Sequence, residues 1–346
     1  MKTKMILFGV AFAFLFSGTA MGQRLSSESI SKVGTTVGQF LKIDVSARSV
    51  AMGGSFVAVT NDASAMYTNA AGIARLNGYE AMFTHTEWIA GTAYDFGAIT
   101  FNLGDGNALG LMVSSFSSGE MKVRTVEQPE GTSELFETQD ILIGLSYARN
   151  LTENFTIGFT GKFISQTIWH MTANTLALDV GLMYNTPFWG TVLGASIRNF
   201  GAKMRLDGRD IKYAYDPDSR NTGNVFVVNS QYEMRDYEIP LNFQVGLARQ
   251  FELSEKNSFL VSVDAVTPND NYEAVNVGFE YGWDNMFFVR GGYKSLFRAD
   301  TEEGLTAGIG LDLRIEGTMR LLVDYAYADF GRLSDNTQRF SLRLKF

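Results

Sequence analysis

Two histidines, His85 and His170, are the only imidazoles in a chain of 346 residues that contains no cysteine. Disulfides, thiolate metal sites and cysteine nucleophiles are thereby excluded. A histidine general base needs a positioned partner. His85 lies near Glu87, and the alternation it shares with Ala81 and Phe83 sets it toward the end of a strand, facing outward. His170 falls in the short stretch Trp-His-Met-Thr. Neither has an evident partner, so both read as structural or interfacial, and no enzyme activity is expected. The stretch DPDSRNTGN (Asp216 to Asn224) spaces several oxygen ligands but lacks the Gly at the sixth and the Glu at the twelfth position of an EF-hand loop. It reads as a solvated loop. Gly104–Gly106 and Gly308–Gly310 look like phosphate-binding turns, yet no helix follows either. They read as a hairpin turn and as a pair on the inner face of a strand. No metal and no cofactor is implied.

The elements that must carry these residues are strands. From Gly78 onward the dominant pattern is period-two alternation. In RFSLRLKF, Phe340, Leu342, Leu344 and Phe346 share one face and Arg339, Ser341, Arg343 and Lys345 the other. The pattern predicts fourteen strands, at 79–86, 92–103, 108–118, 138–149, 155–168, 173–185, 190–198, 239–249, 258–266, 273–283, 286–296, 304–315, 318–327 and 337–346. Most run to about ten residues or more, the length a tilted strand needs to cross a bilayer, whereas sandwich strands usually have about 5–6. Aromatics cluster near strand ends (Tyr147, Tyr184, Trp283, Tyr293, Tyr325, Tyr327), as interfacial girdles require. The even-numbered connections are all short, and the only long ones, 119–137 and 199–238, are odd-numbered. A soluble sandwich has no reason to sort its loops this way. The expected fold is all-β: a 14-stranded antiparallel transmembrane barrel over residues 78–346, seated in an outer membrane.

Residues 1–22 read as a signal peptide: Lys2 and Lys4, an apolar run from Met5 to Phe16, then small residues up to Gly22. Its removal takes the formal charge from −8 to −10, too acidic for a nucleic-acid partner held by phosphate contacts. Residues 23–77 precede the first strand. A fourteen-strand barrel is wider than its own side chains can fill, so this segment is expected to plug the lumen, with Gly53, Gly54 and Gly72 permitting close backbone approach. The inward faces of the strands carry Asp140, Lys162, Asp179, Asp264, Glu280, Arg290, Lys294, Asp312, Arg314, Asp324, Arg339 and Arg343. Both signs are present, which suits either a network tying plug to wall or the lining of a polar conduit. Arg48, Asp62 and Asn69 are the expected partners on the plug.

The stretch Phe40 to Ala74, FLKIDVSARSVAMGGSFVAVTNDASAMYTNAAGIA, resembles the N-terminal signature of the PorV/PorQ family of outer-membrane proteins. Phe40-Leu41-Lys42-Ile43, Ala47-Arg48, Ala51-Met52-Gly53-Gly54, Ala58-Val59 and Asp62-Ala63-Ser64-Ala65 match the family pattern. So does Asn69-x-Ala71-Gly72, except that Ala70 stands where the family usually has Pro. The tail from Leu321 to Phe346 resembles the family's last hairpin. Phe340, Leu342, Leu344 and Phe346 on the final strand look like the signal read by the outer-membrane insertion machinery.

The resemblance implies a FadL-like barrel and an accessory of type IX secretion, binding the C-terminal domains of exported cargo, or proteins of the translocon or attachment complex, through its external loops. Tyr213, Tyr215, Phe226, Tyr232 and Tyr237 in the longest loop are the candidate recognition residues, since tyrosines suit protein contacts. The competing expectation is a FadL-like channel for hydrophobic small molecules. The charged inward faces count against a greasy path, although Phe40, Met52, Phe56 and Met66 of the plug could line one.

Overall fold

A computed structural model describes residues 32–217, 220, 227–298, 301–332 and 334–346. The expected signal peptide, the start of the following segment, Phe226 and most of DPDSRNTGN lie outside the described residues. Fourteen long strands form the wall: β1 (Tyr79–Glu87), β2 (Ala93–Gly104), β3 (Asn107–Ser117), β4 (Thr138–Asn150), β5 (Phe155–Ile168), β6 (Met171–Asn185), β7 (Thr191–Gly201), β8 (Asn242–Glu252), β9 (Ser258–Pro268), β10 (Ala274–Trp283), β11 (Phe287–Leu296), β12 (Leu305–Glu316), β13 (Met319–Phe330) and β14 (Ser334–Lys345). Each pairs antiparallel with the next, and β1 pairs with β14 (Phe83 opposite Leu342) to close the barrel. Closure pairs both edges of every long strand of the wall.

The alternation sorts the faces. On β1, Glu80, Met82, Thr84 and Thr86 are buried inside while Tyr79 and Phe83 are exposed outside. Phe159, Phe163, Leu305, Ile309, Phe340, Leu342 and Phe346 belong to the same exposed apolar surface, and Leu344 is half-buried. Aromatic pairs line the end that carries the short turns: Tyr79–Phe101, Phe155–Tyr184, Phe251–Phe259 and Trp283–Phe287, with ring centroids 5.6–6.5 Å apart. An apolar belt with an aromatic rim is the surface a bilayer-crossing barrel presents.

Two differences from the expected strands have physical causes. β8 starts at Asn242 rather than 239 because Pro240 has no N–H to give the ladder. The loops also hold short pairs that period-two counting does not register: Met121–Lys122 with Leu135–Phe136, Lys212–Tyr215 with Val228–Gln231, and Asp207–Gly208 against β6.

Residues 37–76 run inside the barrel, with 33–36 leading in. Their regular elements are brief: 3₁₀ turns at Gln39–Lys42 and Ala70–Arg75, and helices α1 (Ala47–Ala51) and α2 (Ala65–Thr68). Ser46 caps α1 by accepting from the Ser49 N–H at 3.4 Å. Gly53 and Gly54, both at positive φ, end it. Gly53 then lies so close to the wall that a Cβ there would come within 2.8 Å of the Tyr293 nitrogen and the Val277 oxygen.

This inner segment has two unlike flanks. Toward β1–β5 it is apolar: Phe40, Leu41, Met66, Tyr67 and Ile73 pack against Met82, Phe96, Met112, Leu142 and Ile164. Met52 and Phe56 join Ala248 of β8 and Leu260 of β9 in a second cluster. Toward β10–β14 a small apolar cluster (Ala47, Val50 and Ala51 against Ala326 and Ala328 of β13) lies beside ionic contacts.

Candidate functional site: a ring of six charges

Arg48 on α1 reaches Glu280 on β10 through two hydrogen bonds of 2.8 Å, from Nε to Oε2 and from Nη2 to Oε1. Arg290 on β11 donates from Nε to the same Oε2 at 2.5 Å and from Nη1 to Asp324 on β13 at 2.6 Å. Arg343 on β14 holds the other oxygen of Asp324 at 2.8 Å and turns Nη1 to Asp62 of the inner segment at 3.4 Å. Asp62 lies 3.9 Å from Arg48 and completes the circuit. Three guanidiniums alternate with three carboxylates, all buried, so the ring is neutral as a whole. Burial alone would push the Arg48 guanidinium down; Glu280 and Asp62 beside it hold it above its ordinary value.

The ring depends on an absent side chain. Arg290 and Asp324 stand on strands separated by β12, where Gly310 is the register partner of Asp324. A Cβ on Gly310 would sit 2.4 Å from Asp324 Oδ1 and 2.5 Å from Arg290 Nη1. One step along the same face, a Cβ on Gly308 would meet the Ala51 methyl of α1 at 2.5 Å. The Gly-Ile-Gly triplet is thus a docking notch for the helix and an opening for the arginine.

Hydrogen bonds to backbone groups fix the rest of the inner segment. Asp264 on β9 accepts from the Phe56 and Val57 N–H groups at 2.7 and 2.9 Å. Thr306 on β12 accepts from the Gly53 N–H at 2.9 Å and donates to the Ala51 carbonyl at 3.1 Å. The Asn69 amide donates to Val57 and to the Leu182 carbonyl of β6, at 2.7 and 3.0 Å, while its oxygen accepts from the Ala71 N–H. Asp62 also accepts from the Ser64 N–H. The DASAMYTNAAG stretch therefore both turns the chain and grips the wall. Gly72, buried in it, has no room for a Cβ beside Thr60.

The remaining inward charges group separately. Lys162 pairs with Asp179 and donates to Asn199 at 2.9 Å. Asp140 accepts from Gln166 at 2.9 Å, Asp312 pairs with Arg320, and Lys294 pairs with Glu303 at 2.7 Å. Arg339 is buried. Arg314 departs from expectation: it shares the inward face of β12 but is exposed, because β12 overhangs the inner segment near the 317–318 turn.

Both histidines have carboxylate partners that sequence reading missed. His85 Nδ1 lies 2.7 Å from Asp95, and His170 Nδ1 is 3.2 Å from Asp210. His85 and Asp95 are register partners across the β1–β2 hairpin, so working out that register would have revealed the pair. Among the tyrosines of the long loop, Tyr213 and Tyr232 stack across the short hairpin with centroids 4.9 Å apart, and Tyr215 meets Tyr213 edge-on. All three, and Tyr237, are exposed.

Residues 15–165 match the model of a family described as "Uncharacterised protein family (UPF0164)". No curated protein sequence matches. Among solved structures, the fold is similar to the toluene transporter TbuX of Ralstonia pickettii (13% identity, TM-score 0.55, covering 87% of this chain and 98% of that one). It is also similar to the toluene transporter TodX of P. putida (12%, 0.53, 86% and 96%) and to a FadL homologue of Pseudomonas aeruginosa (13%, 0.51, 87% and 98%). At such identities the likeness is one of fold: a FadL-like, closed 14-stranded barrel.

Proposed function

We propose that this protein is a plugged outer-membrane channel of the FadL type that admits small hydrophobic molecules, with residues 33–77 as its plug and the six-charge ring as the latch. The observation that carries the reading is the fold shared, over 86–87% of the chain, with transporters of toluene. The apolar flank supports it. Moving the plug away from β1–β5 would expose Phe96, Met112, Leu142 and Ile164 as a continuous greasy wall, while the ring holds the opposite flank. The test is uptake of labelled toluene by proteoliposomes carrying the purified protein. Uptake above that of protein-free vesicles supports the reading, and equal uptake sinks it.

A second reading rests on the exposed tyrosine hairpin and on the PorV/PorQ-like signature: an accessory of type IX secretion that binds cargo or translocon proteins through its longest loop. Replacing residues 212–231 with a short turn should abolish cargo pull-down under this reading and leave solute uptake intact. Unchanged pull-down removes it.

A further inference from the structure

Five cationic side chains are buried among the described residues, and four have a carboxylate within 3 Å: Arg48, Lys162, Arg290 and Arg343. The fifth does not. Arg339, on the inner face of β14, is 3% exposed, and its Nε has no acceptor. Its guanidinium lies 5.3 Å over the ring of Trp88, which compensates a desolvated charge only in part. A buried charge without a partner is costly, and natural sequences keep such a group where something arrives to meet it.

Arg339 borders a small cavity together with Asp44, Lys294 and Glu303. Those three residues also line a neighbouring cavity of about 140 Å³, between the inner segment and β7–β11. Arg198 and Arg298 line the larger cavity, and the Nε of each is likewise buried without an acceptor. Lys42 is neutralised by Asp270. Four cations (Arg198, Lys294, Arg298, Arg339) then face three anions (Asp44, Glu303, Asp329), and Asp329 accepts from the Gly331 N–H. Glu303 is already engaged by Lys294 and Arg298, and Asp44 by the Ser46 N–H and the Ser49 hydroxyl. The wall is bent at this cavity. Asn199 and Ser295, both at φ 60° and both in its lining, sit at register shifts of β7 against β6 and of β11 against β10. Bulges of this kind re-aim side chains beside functional sites.

We propose that the paired cavities form an oxyanion site, taking the carboxylate or phosphate group of a small solute, with Arg339 as its essential ligand. Planar guanidiniums with free N–H groups suit two-oxygen recognition. The site has a polar, cation-rich side and adjoins the apolar flank, whose Leu41 and Tyr67 also line the larger cavity. Describing the bound anion as cargo rests on the channel reading; binding itself does not.

The test is calorimetric titration of the purified full-length protein in a neutral detergent with sodium phosphate and, separately, sodium benzoate. Sodium chloride and toluene serve as controls. One oxyanion should bind in preference to chloride, and which of the two binds identifies the headgroup. Arg339→Met should weaken that binding by about tenfold or more, the scale of a lost hydrogen bond to a charged group, without lowering thermal stability. If Arg339→Met fails to fold, Arg298→Gln provides the same comparison, with a smaller loss expected. Binding no tighter than chloride, or unchanged in a folded variant, overturns the proposal. Oxyanion binding without any solute uptake would instead remove the channel reading and leave the site standing.

Discussion

Arg48 and Glu280 meet through two parallel hydrogen bonds of 2.8 Å, one residue on the inner segment and the other on the wall. A buried ion pair adds little net stability over an apolar isostere, but breaking one side of it is expensive, about 3–5 kcal/mol. Its value here is registration, because a bidentate fork fixes where α1 sits. Arg48→Met should leave Glu280 satisfied by Arg290 and the barrel intact while freeing the inner segment. In planar bilayers this variant should conduct more than the parent, and limited proteolysis should cut between residues 33 and 77. Unaltered conductance and unaltered cleavage would mean that the ring is not a latch.

Gly310 tests the ring from the wall side. Gly310→Ala places a methyl 2.4 Å from Asp324 Oδ1 and 2.5 Å from Arg290 Nη1, so the two side chains must part. The expected cost is about 1–3 kcal/mol for overpacking, and more if the pair is left broken. It should appear as a lower temperature for conversion of the folded to the unfolded band on semi-native gels. Gly317→Ala, in open space at the short-turn end, controls for a general effect of losing glycine, apart from the strain of its own positive φ.

Acid should loosen the loop that precedes β12. Burial alone would raise the Glu303 carboxyl, but Lys294, Ser295 and Arg298 outweigh it and bring the pKa down to about 2 from an ordinary 4.5. A carboxylate depressed by folding stabilises the native state above its unfolded pKa and loses that contribution as pH falls through the folded one. Hydrogen exchange in residues 301–304 should therefore rise between pH 4.5 and about 2. Glu303→Gln should flatten that rise. Persistence of the full pH dependence in Glu303→Gln would assign it to another group.

The strands were legible because each shows one face to the surroundings and one to the interior, and a period of two survives any loop length. The same count put Asp264, Glu280, Arg290, Asp324 and Arg343 on inner faces. Their partners were not legible. Arg343 and Asp62 lie 281 positions apart, and the Arg290–Asp324 contact depends on the missing side chain of Gly310. No periodicity encodes either. The inner segment is harder still, since its helices are one turn long and take their shape from the wall. His85 and Asp95 are the opposite case: the hairpin centred on residue 90 already sets them across from each other, and only the register had to be counted.

Ala70, which stands where the PorV/PorQ-like pattern usually has Pro, can be tested directly. It opens the 3₁₀ turn Ala70–Arg75, the position at which Pro is best tolerated because its missing N–H is unpaired there in any case. The preceding Asn69 is extended, at φ −153° and ψ 97°, as a residue before Pro must be. No hydrogen bond from the Ala70 N–H is lost on substitution. Ala70→Pro should therefore raise stability by about 0.4–1 kcal/mol by restricting the unfolded chain. The folded-to-unfolded band shift on semi-native gels should move to higher temperature, with the Asn69 contacts to Val57 and Leu182 preserved. A lower transition would mean that Gly181, whose Cβ position lies 3.0 Å from the Ala70 nitrogen, leaves too little room for the proline ring.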